Sequence, residues 1–113
     1  MYYEKAAQQG HADAQYNAGR NYRDGRGCEQ SYERAAEWFE KAARQGDADA
    51  QNSLATCYSY GRSVTQNHEQ AVELYKKSVA QGHPGAHKNL GISYELGEGV
   101  AQSYKEARRL YAK

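Results

Sequence analysis

The sequence lacks any excess of charge of one sign and any long apolar segment. Its 113 residues contain 15 Lys and Arg against 14 Asp and Glu, a formal net charge of +1. Such a balanced chain has neither the basic surface of a nucleic-acid-binding protein nor a polybasic patch for membranes. No apolar run exceeds about four residues. The sequence therefore predicts neither a transmembrane helix nor the apolar region of a signal peptide within these residues.

Cysteine and branched aliphatic residues are also scarce. Two cysteines, Cys28 and Cys57, are too few for the disulfide framework of a small secreted domain. The five Leu, four Val and one Ile are outnumbered by 18 Ala and 11 Tyr. This composition predicts a core in which small side chains let backbones pack closely and tyrosines fill the gaps. With 12% aromatic residues and no block of like charges, a disordered chain is not expected.

An internal repeat of 36 residues is the strongest signal in the sequence. The first and second units share 17 of 36 residues, and the first and third share 15. A period of this length is typical of helical solenoids, in which each unit packs on its neighbours. We therefore predict one repeat array over residues 1–113, with a partial fourth unit from 110 and three full units at 2–37, 38–73 and 74–109.

Each unit is predicted to contain two helices. In the second helix, at residues 31–45, Ala35, Trp38, Phe39 and Ala42 recur at helical spacing and form one apolar stripe. The first helices are expected at about 12–24, 48–60 and 84–96. Small residues recur within them and predict that another backbone lies close to Gly19, Ala55 and Gly91.

Polar caps and glycines mark the ends of these helices. The second helices follow a side chain that can accept from the free N–H groups of the first turn, namely Ser31, Asn67 and Ser103. Ser103 and Glu106 also have the spacing of a capping box. The first helices are expected to stop at residues that tolerate a left-handed backbone, namely Gly25, Gly61 and Gly97.

The repeated pattern is clearest in residues 38–46, WFEKAARQG, and 89–102, NLGISYELGEGVAQ. It resembles the Sel-1-like repeat, a helical-pair repeat related to the tetratricopeptide repeat, over nearly the whole chain. The resemblance implies an all-α, right-handed α/α solenoid of antiparallel helix pairs, with about seven helices. It also implies a protein–protein interaction scaffold or adaptor rather than an enzyme. Because the chain starts within a second helix, we expect it to be a piece of a longer array.

No catalytic or metal-binding set stands out. His83 and His87 have the i, i+4 spacing of half a zinc site, but no third ligand has a recognisable spacing and other polar residues hold these positions in the other units. Cys28 and Cys57 are interpreted as buried or half-buried thiols, with a disulfide between them left open. We therefore predict no metal and no cofactor, and we do not expect the chain to be an enzyme.

The candidate binding face lies where the first helices differ between units. One stripe of each first helix is constant, as at Ala14, Ala18 and Tyr22, and the nearly opposite stripe varies. In the similar tetratricopeptide fold, the variable positions line the concave groove that takes peptides. The residues expected to contact a protein or peptide partner are Tyr16, Arg20, Arg23, Asn52, Lys88 and Ile92. The two arginines favour an acidic or C-terminal peptide.

Two other functions stay open at this point. The array could be a structural spacer within a larger protein, or, with less support, an enzyme with a cysteine or histidine–metal site of unusual type. Apolar residues near both ends are expected to be exposed and to permit weak end-to-end self-association, namely Tyr2, Tyr3, Leu110 and Tyr111.

Overall fold

Six α-helices make up the part of the chain that the computed structural model describes, residues 11–61 and 67–112. They are α1 (Ala12–Asp24), α2 (Tyr32–Arg44), α3 (Ala48–Tyr60), α4 (His68–Ala80), α5 (Pro84–Leu96) and α6 (Tyr104–Tyr111). Extensive contacts are confined to helices that are neighbours in sequence, and the short connections make neighbouring helices antiparallel. This arrangement confirms the predicted all-α solenoid of helix pairs, and the first helices have the expected bounds.

The helix ends follow the predicted caps and glycines. The side chains of Ser31, Asn67 and Ser103 each accept a hydrogen bond from the N–H three residues later. Gly25, Gly61 and Gly97 are all left-handed, with φ of 72°, 66° and 69°. These local signals therefore set where each helix begins and ends.

The predicted capping box at α6 is wrong in its second half. The Ser103 N–H donates to the Tyr94 carbonyl at 2.9 Å instead of to Glu106. The Glu106 carboxylate accepts from the Arg109 guanidinium at 2.8 and 3.1 Å. The bond from the cap N–H recurs at Ser31 and Asn67, which donate to the tyrosine carbonyls of their own units. Each second helix is thus tied to the first helix before it, which leaves the glutamate free to pair with arginine.

The core consists of alanines, aromatic rings and a few aliphatic side chains in two clusters. The first joins α1, α2 and α3 around the fully buried Phe39, and the second joins α3 to α6 around Val72, Tyr75 and Leu90. Tyr58 packs against both clusters but is only half-buried. Tyr58 therefore links the two clusters without being fully enclosed by either.

The small residues of the first helices face aromatic rings more closely than backbone. A Cβ atom added at Gly19 would lie 2.6 Å from Cε1 of Phe39 and 3.2 Å from the Ala35 carbonyl oxygen. A Cβ added at Gly91 would lie 2.6 Å from Cε1 of Tyr111. The predicted approach of another backbone is confirmed at Gly19 but not at Gly91, and the nearest group at both glycines is a ring of the paired second helix.

Both cysteines are free thiols. Cys57 is buried and Cys28 is half-buried. The disulfide that the sequence left open is therefore not formed, and the interpretation of both residues as partly or fully buried thiols holds. Each packs in or against the first core cluster.

Truncating a fully buried ring should lower the free energy of unfolding more than truncating a half-buried ring. Phe39→Ala removes a ring with 0% exposure and should lower the free energy of unfolding by about 3–5 kcal/mol. Tyr58→Ala removes a half-buried ring and should cost about 1–2 kcal/mol, because less apolar area is lost. Urea unfolding followed by circular dichroism measures both. Equal losses for the two variants would contradict this view of the core.

A second pair of variants tests the contact between glycine and ring. Alanine normally stabilises a helix relative to glycine by about 1 kcal/mol. Gly19→Ala would overlap the fully buried Phe39 ring, and such overpacking costs about 1–3 kcal/mol.

Gly91→Ala is the matched control, because its neighbour Tyr111 is 43% exposed and lies in the last turn of α6. That ring can rotate away, so we expect an unchanged or raised melting temperature for Gly91→Ala and a lowered one for Gly19→Ala. Equal melting temperatures for the two variants would refute the tight contact at Phe39.

Candidate binding surface

The variable stripes of α1, α3 and α5 lie on neighbouring helices of the array. Polar side chains bridge α3 and α5 directly: Asn89 Nδ2 donates to Asn52 Oδ1 at 3.0 Å, and His83 Nε2 lies 2.7 Å from Asp49 Oδ1. Asn52, Asp49 and Asn89 are at least partly exposed. The first helices therefore present one surface that crosses unit boundaries.

On α1, two aromatic rings support two arginines. The Tyr16 ring lies 5.7 Å from the Phe39 ring, the Arg20 guanidinium lies 5.7 Å from the Tyr16 ring, and that of Arg23 lies 5.9 Å from the Phe39 ring. These distances place both cations within reach of an aromatic face. Tyr16, Arg20 and Arg23 are all half-buried, so their side chains are partly ordered before any partner binds.

The two arginines differ in their ion pairs. Arg23 donates from Nε to one oxygen of Asp24 at 3.1 Å and from a terminal nitrogen to the other at 3.3 Å. This hydrogen bonding raises the pKa of Arg23 and lowers the pKa of Asp24. Arg20 makes no ion pair with the described residues. Its guanidinium is thus the cation of α1 that remains available to a partner.

A first recess opens between α1 and α3, with Phe39 of α2 in its lining. Its volume is about 110 Å³. It brings together Arg23 and Asn52, two of the residues predicted to bind a partner. The complete lining is Arg23, Tyr32, Ala35, Phe39, Asn52, Ser53, Thr56 and Cys57.

A second recess lies one unit further along, between α3 and α5, with a volume of about 280 Å³. Tyr75 occupies the position of Phe39, His68 that of Tyr32, and Ile92 that of Thr56, each 36 residues later. The complete lining is Ser59, Tyr60, His68, Tyr75, Asn89, Ile92, Ser93, Leu96 and Glu98. The recess is therefore a feature of the repeat, with the same architecture and different side chains in each unit.

A family model named Sel1 repeat matches residues 1–11, 12–47, 48–83 and 84–113. The chain belongs to the Sel1 repeat family. These segments have the 36-residue period found above and start at the first helix of each pair. Sel1 repeats are generally protein-interaction modules.

Two solved structures show how closely this Sel1 array resembles known proteins. One is c5321, a protective antigen present in uropathogenic Escherichia coli strains and displaying an SLR fold, with 34% identity and a TM-score of 0.90. The other is a Sel1 repeat protein from Oxalobacter formigenes, with 32% identity and a TM-score of 0.89. Each match covers 98% of this chain but only 24% and 46% of the two proteins, respectively. A comparison with curated protein sequences finds no match.

A third recess lies at the C-terminal end of this Sel1 array and contains two residues that were predicted to bind a partner. Lys88 and Ile92 line this recess of about 390 Å³ together with Pro84, His87, Leu110 and Tyr111. Leu110 is only 2% exposed, so its predicted exposure is wrong, because α6 buries it against α5. Tyr111 is 43% exposed, as expected. Tyr2 and Tyr3 lie outside the described residues.

Sequence reasoning missed several recess residues, among them Phe39, Tyr60, Tyr75 and Leu96. Tyr60 and Leu96, which are 68% and 59% exposed, line the second recess. Both lie four residues beyond the variable positions Thr56 and Ile92, so one further helical step along the stripe would have found them. Phe39 and Tyr75 belong to second helices, and no pattern within a first helix could reveal them.

The histidines proposed as half of a zinc site serve the helix start instead. His83 Nδ1 accepts from the Ala86 N–H at 3.1 Å, and its Nε2 faces Asp49. His87 Nδ1 lies 2.9 Å from the His83 carbonyl oxygen. Within residues 11–61 and 67–112, no three or more His, Cys, Asp or Glu side chains form a group that could hold a metal ion. None of the helices described there is long and apolar enough to cross a membrane.

Variants of His83 can test the capping role. His83→Ala removes the acceptor at the start of α5 and should lower the free energy of unfolding by about 1 kcal/mol. His83→Asn retains a capping side chain, so its free energy of unfolding should differ from that of the wild type by only a few tenths of about 1 kcal/mol. Thermal melting gives both values, and we expect added zinc to leave the wild-type melting temperature unchanged. Stabilisation by zinc that disappears in His83→Asn would overturn this assignment.

Proposed function

We propose that this Sel1 array is a non-catalytic scaffold module that binds an extended segment of a partner protein across α1, α3 and α5, on the concave side of the solenoid. The observation that carries the proposal is the recurrence of one recess, with an aromatic ring of the second helix in its lining, at successive unit boundaries. Sel1 repeat proteins are generally non-catalytic scaffolds, which favours binding over the enzymatic alternative.

The spacing of the recesses suits an extended chain. We take one unit step as roughly 8–10 Å, the distance between packed helices. A peptide in the extended polyproline II conformation advances about 3.1 Å per residue with three residues per turn. About three residues of partner therefore span one unit, and every third side chain returns to the same face and can enter a recess. A helical partner would need about seven residues to span the same distance, so a three-residue spacing is specific to an extended partner.

The side chains at the surface are also held in place before binding. Tyr16 packs against Phe39, and Arg20 lies over the Tyr16 ring. Asn52 is hydrogen-bonded to Asn89, and Thr56 Oγ1 lies 3.1 Å from the Tyr75 hydroxyl. Burial raises the pKa of that tyrosine, so it stays neutral below strongly alkaline pH. Ordered side chains on helices lose little conformational entropy on binding, which favours affinity. A spacer would have no need for this ordering at the exposed surface.

Selection from a phage-displayed library of random peptides on the immobilised chain tests the proposal. Peptides that bind the wild type are then titrated against Arg20→Ala/Arg23→Ala. We expect their affinity to fall at least about tenfold, because arginines at aromatic-lined sites are frequent binding hot spots. Circular dichroism should show an unchanged helical signal.

The charge-matched control is Lys76→Ala/Lys77→Ala. Both lysines are exposed on the second helix α4, and the variant removes the same two positive charges. Failure to select any peptide, or equal loss of affinity in both double variants, would reject the binding face and favour a spacer.

A further inference from the structure

The two equivalent recesses differ systematically in the chemistry of their rims. Between the first and the second, Arg23 is replaced by Ser59, its ion-pair partner Asp24 by Tyr60, and Thr56 by Ile92. The first rim therefore carries the Arg23–Asp24 pair, whereas the second carries exposed Tyr60 and Leu96 next to a His68–Glu98 pair, although equivalent backbone positions build both. The two recesses should therefore accept different side chains of a partner.

The first recess is small and has one unpaired positive charge beside it. Arg23 lines the recess and is paired with Asp24. Arg20 lies three residues before Arg23 on the same stripe of α1 and adds the unpaired charge. Asp13 is on the same stripe, but it lies ten residues before Arg23, about 15 Å along the helix axis. A volume of about 110 Å³ leaves little room for a bulky apolar group. A carboxylate at the rim, hydrogen-bonded to Arg20, matches both the charge and the size of this site.

The second recess is larger, at about 280 Å³, and its charged groups face each other. His68 Nε2 lies 3.4 Å from Glu98 Oε2, so these two polar groups are partners of each other. Tyr60 and Leu96 are among the most exposed large apolar side chains of the described residues, and half-buried Ile92 lies beside them. Such an exposed apolar rim around a concave site is typical of a place where an apolar side chain is bound.

We propose, on the basis of the interaction function above, that the surface selects an extended segment in which an acidic side chain lies three residues from a bulky apolar one. The acidic side chain binds Arg20 and Arg23 at the first recess. The apolar side chain enters the second recess between Tyr60, Ile92 and Leu96. The separation of three residues follows from one unit step of about 10 Å and from polyproline II geometry, in which a rise of about 3.1 Å per residue and three residues per turn bring every third side chain to the same face.

The test compares peptide pools selected from the same library on three immobilised proteins: the wild type, Arg20→Ala/Arg23→Ala and Tyr60→Ser/Leu96→Ser. In the wild-type pool we expect Asp or Glu three positions from Leu, Ile, Phe, Tyr or Trp to be enriched at least about threefold over the unselected library. The arginine variant should lose the acidic enrichment and keep the apolar one. The Tyr60→Ser/Leu96→Ser variant should lose the apolar enrichment and keep the acidic one.

Tyr104→Ser is the matched control for the apolar rim, because Tyr104 is 60% exposed but does not line the second recess. Its pool should match that of the wild type. A selected glutamate-containing peptide should also weaken about fivefold when its glutamate becomes glutamine, and this loss should vanish in Arg20→Ala/Arg23→Ala.

The outcomes separate this inference from the proposed function. Wild-type binders that depend on Arg20 and Arg23 but show no acidic–apolar spacing would overturn the ligand class and leave the interaction function intact. Enrichment that persists unchanged in both double variants would also overturn the inference. The acidic and the apolar side chains of the peptide would then be bound by other residues. A library that yields no wild-type binder would overturn both.

Discussion

The structure depends on the packing of an aromatic ring from each second helix against a small residue of the first helix before it. Phe39 has no exposed surface and lies so close to Gly19 that a Cβ atom there would overlap the ring. The same ring lines the first recess and supports Tyr16 and Arg23. One side chain therefore joins a helix pair, closes the core and shapes the surface above it. Tyr75 holds the equivalent position in the next unit.

Polar ties of the same period keep successive units in register. Gln45 donates to the Gln15 side chain, and Gln81 donates to the Gln51 side chain at 3.0 Å. Gln81 also donates to the Gly46 carbonyl at 2.8 Å, across the unit boundary. The two bonds between glutamine side chains are partly buried, so leaving one of these groups unpaired would be costly. The ties therefore restrict sliding between units, and a fixed register is what allows the recesses to recur at a constant spacing.

The period, the helix bounds and the caps could be predicted from the sequence because they are local properties. The burial of a side chain by a neighbouring helix could not be predicted from the sequence. Arg34 covers the Tyr22 ring at 5.6 Å, and Tyr22 is buried. Gln70 and Glu106 hold the position of Arg34 in the later units. Glu106 is bound to Arg109 instead, and the tyrosines of these units stay half-buried.

The recess linings were predictable in part for the same reason. The variable stripe contains four of the recess-lining residues, Arg23, Asn52, Lys88 and Ile92. The rings in the recess linings come from the opposite helix of each pair, so only the packed structure reveals them.

The division between constant and variable positions determines how such a surface can change its specificity. Ser59, Tyr60 and Leu96 lie at the recess edge outside the buried core clusters. Substitutions there alter the rim and leave the contacts between ring and small residue in place. Phe39 and Tyr75 belong to both the core and the recess, so changes at these rings would alter binding and stability together. Arg23 is intermediate, because its guanidinium lies over Phe39 and is bound to Asp24. Specificity can therefore vary independently of the fold at the rim, but not at the ring beneath it.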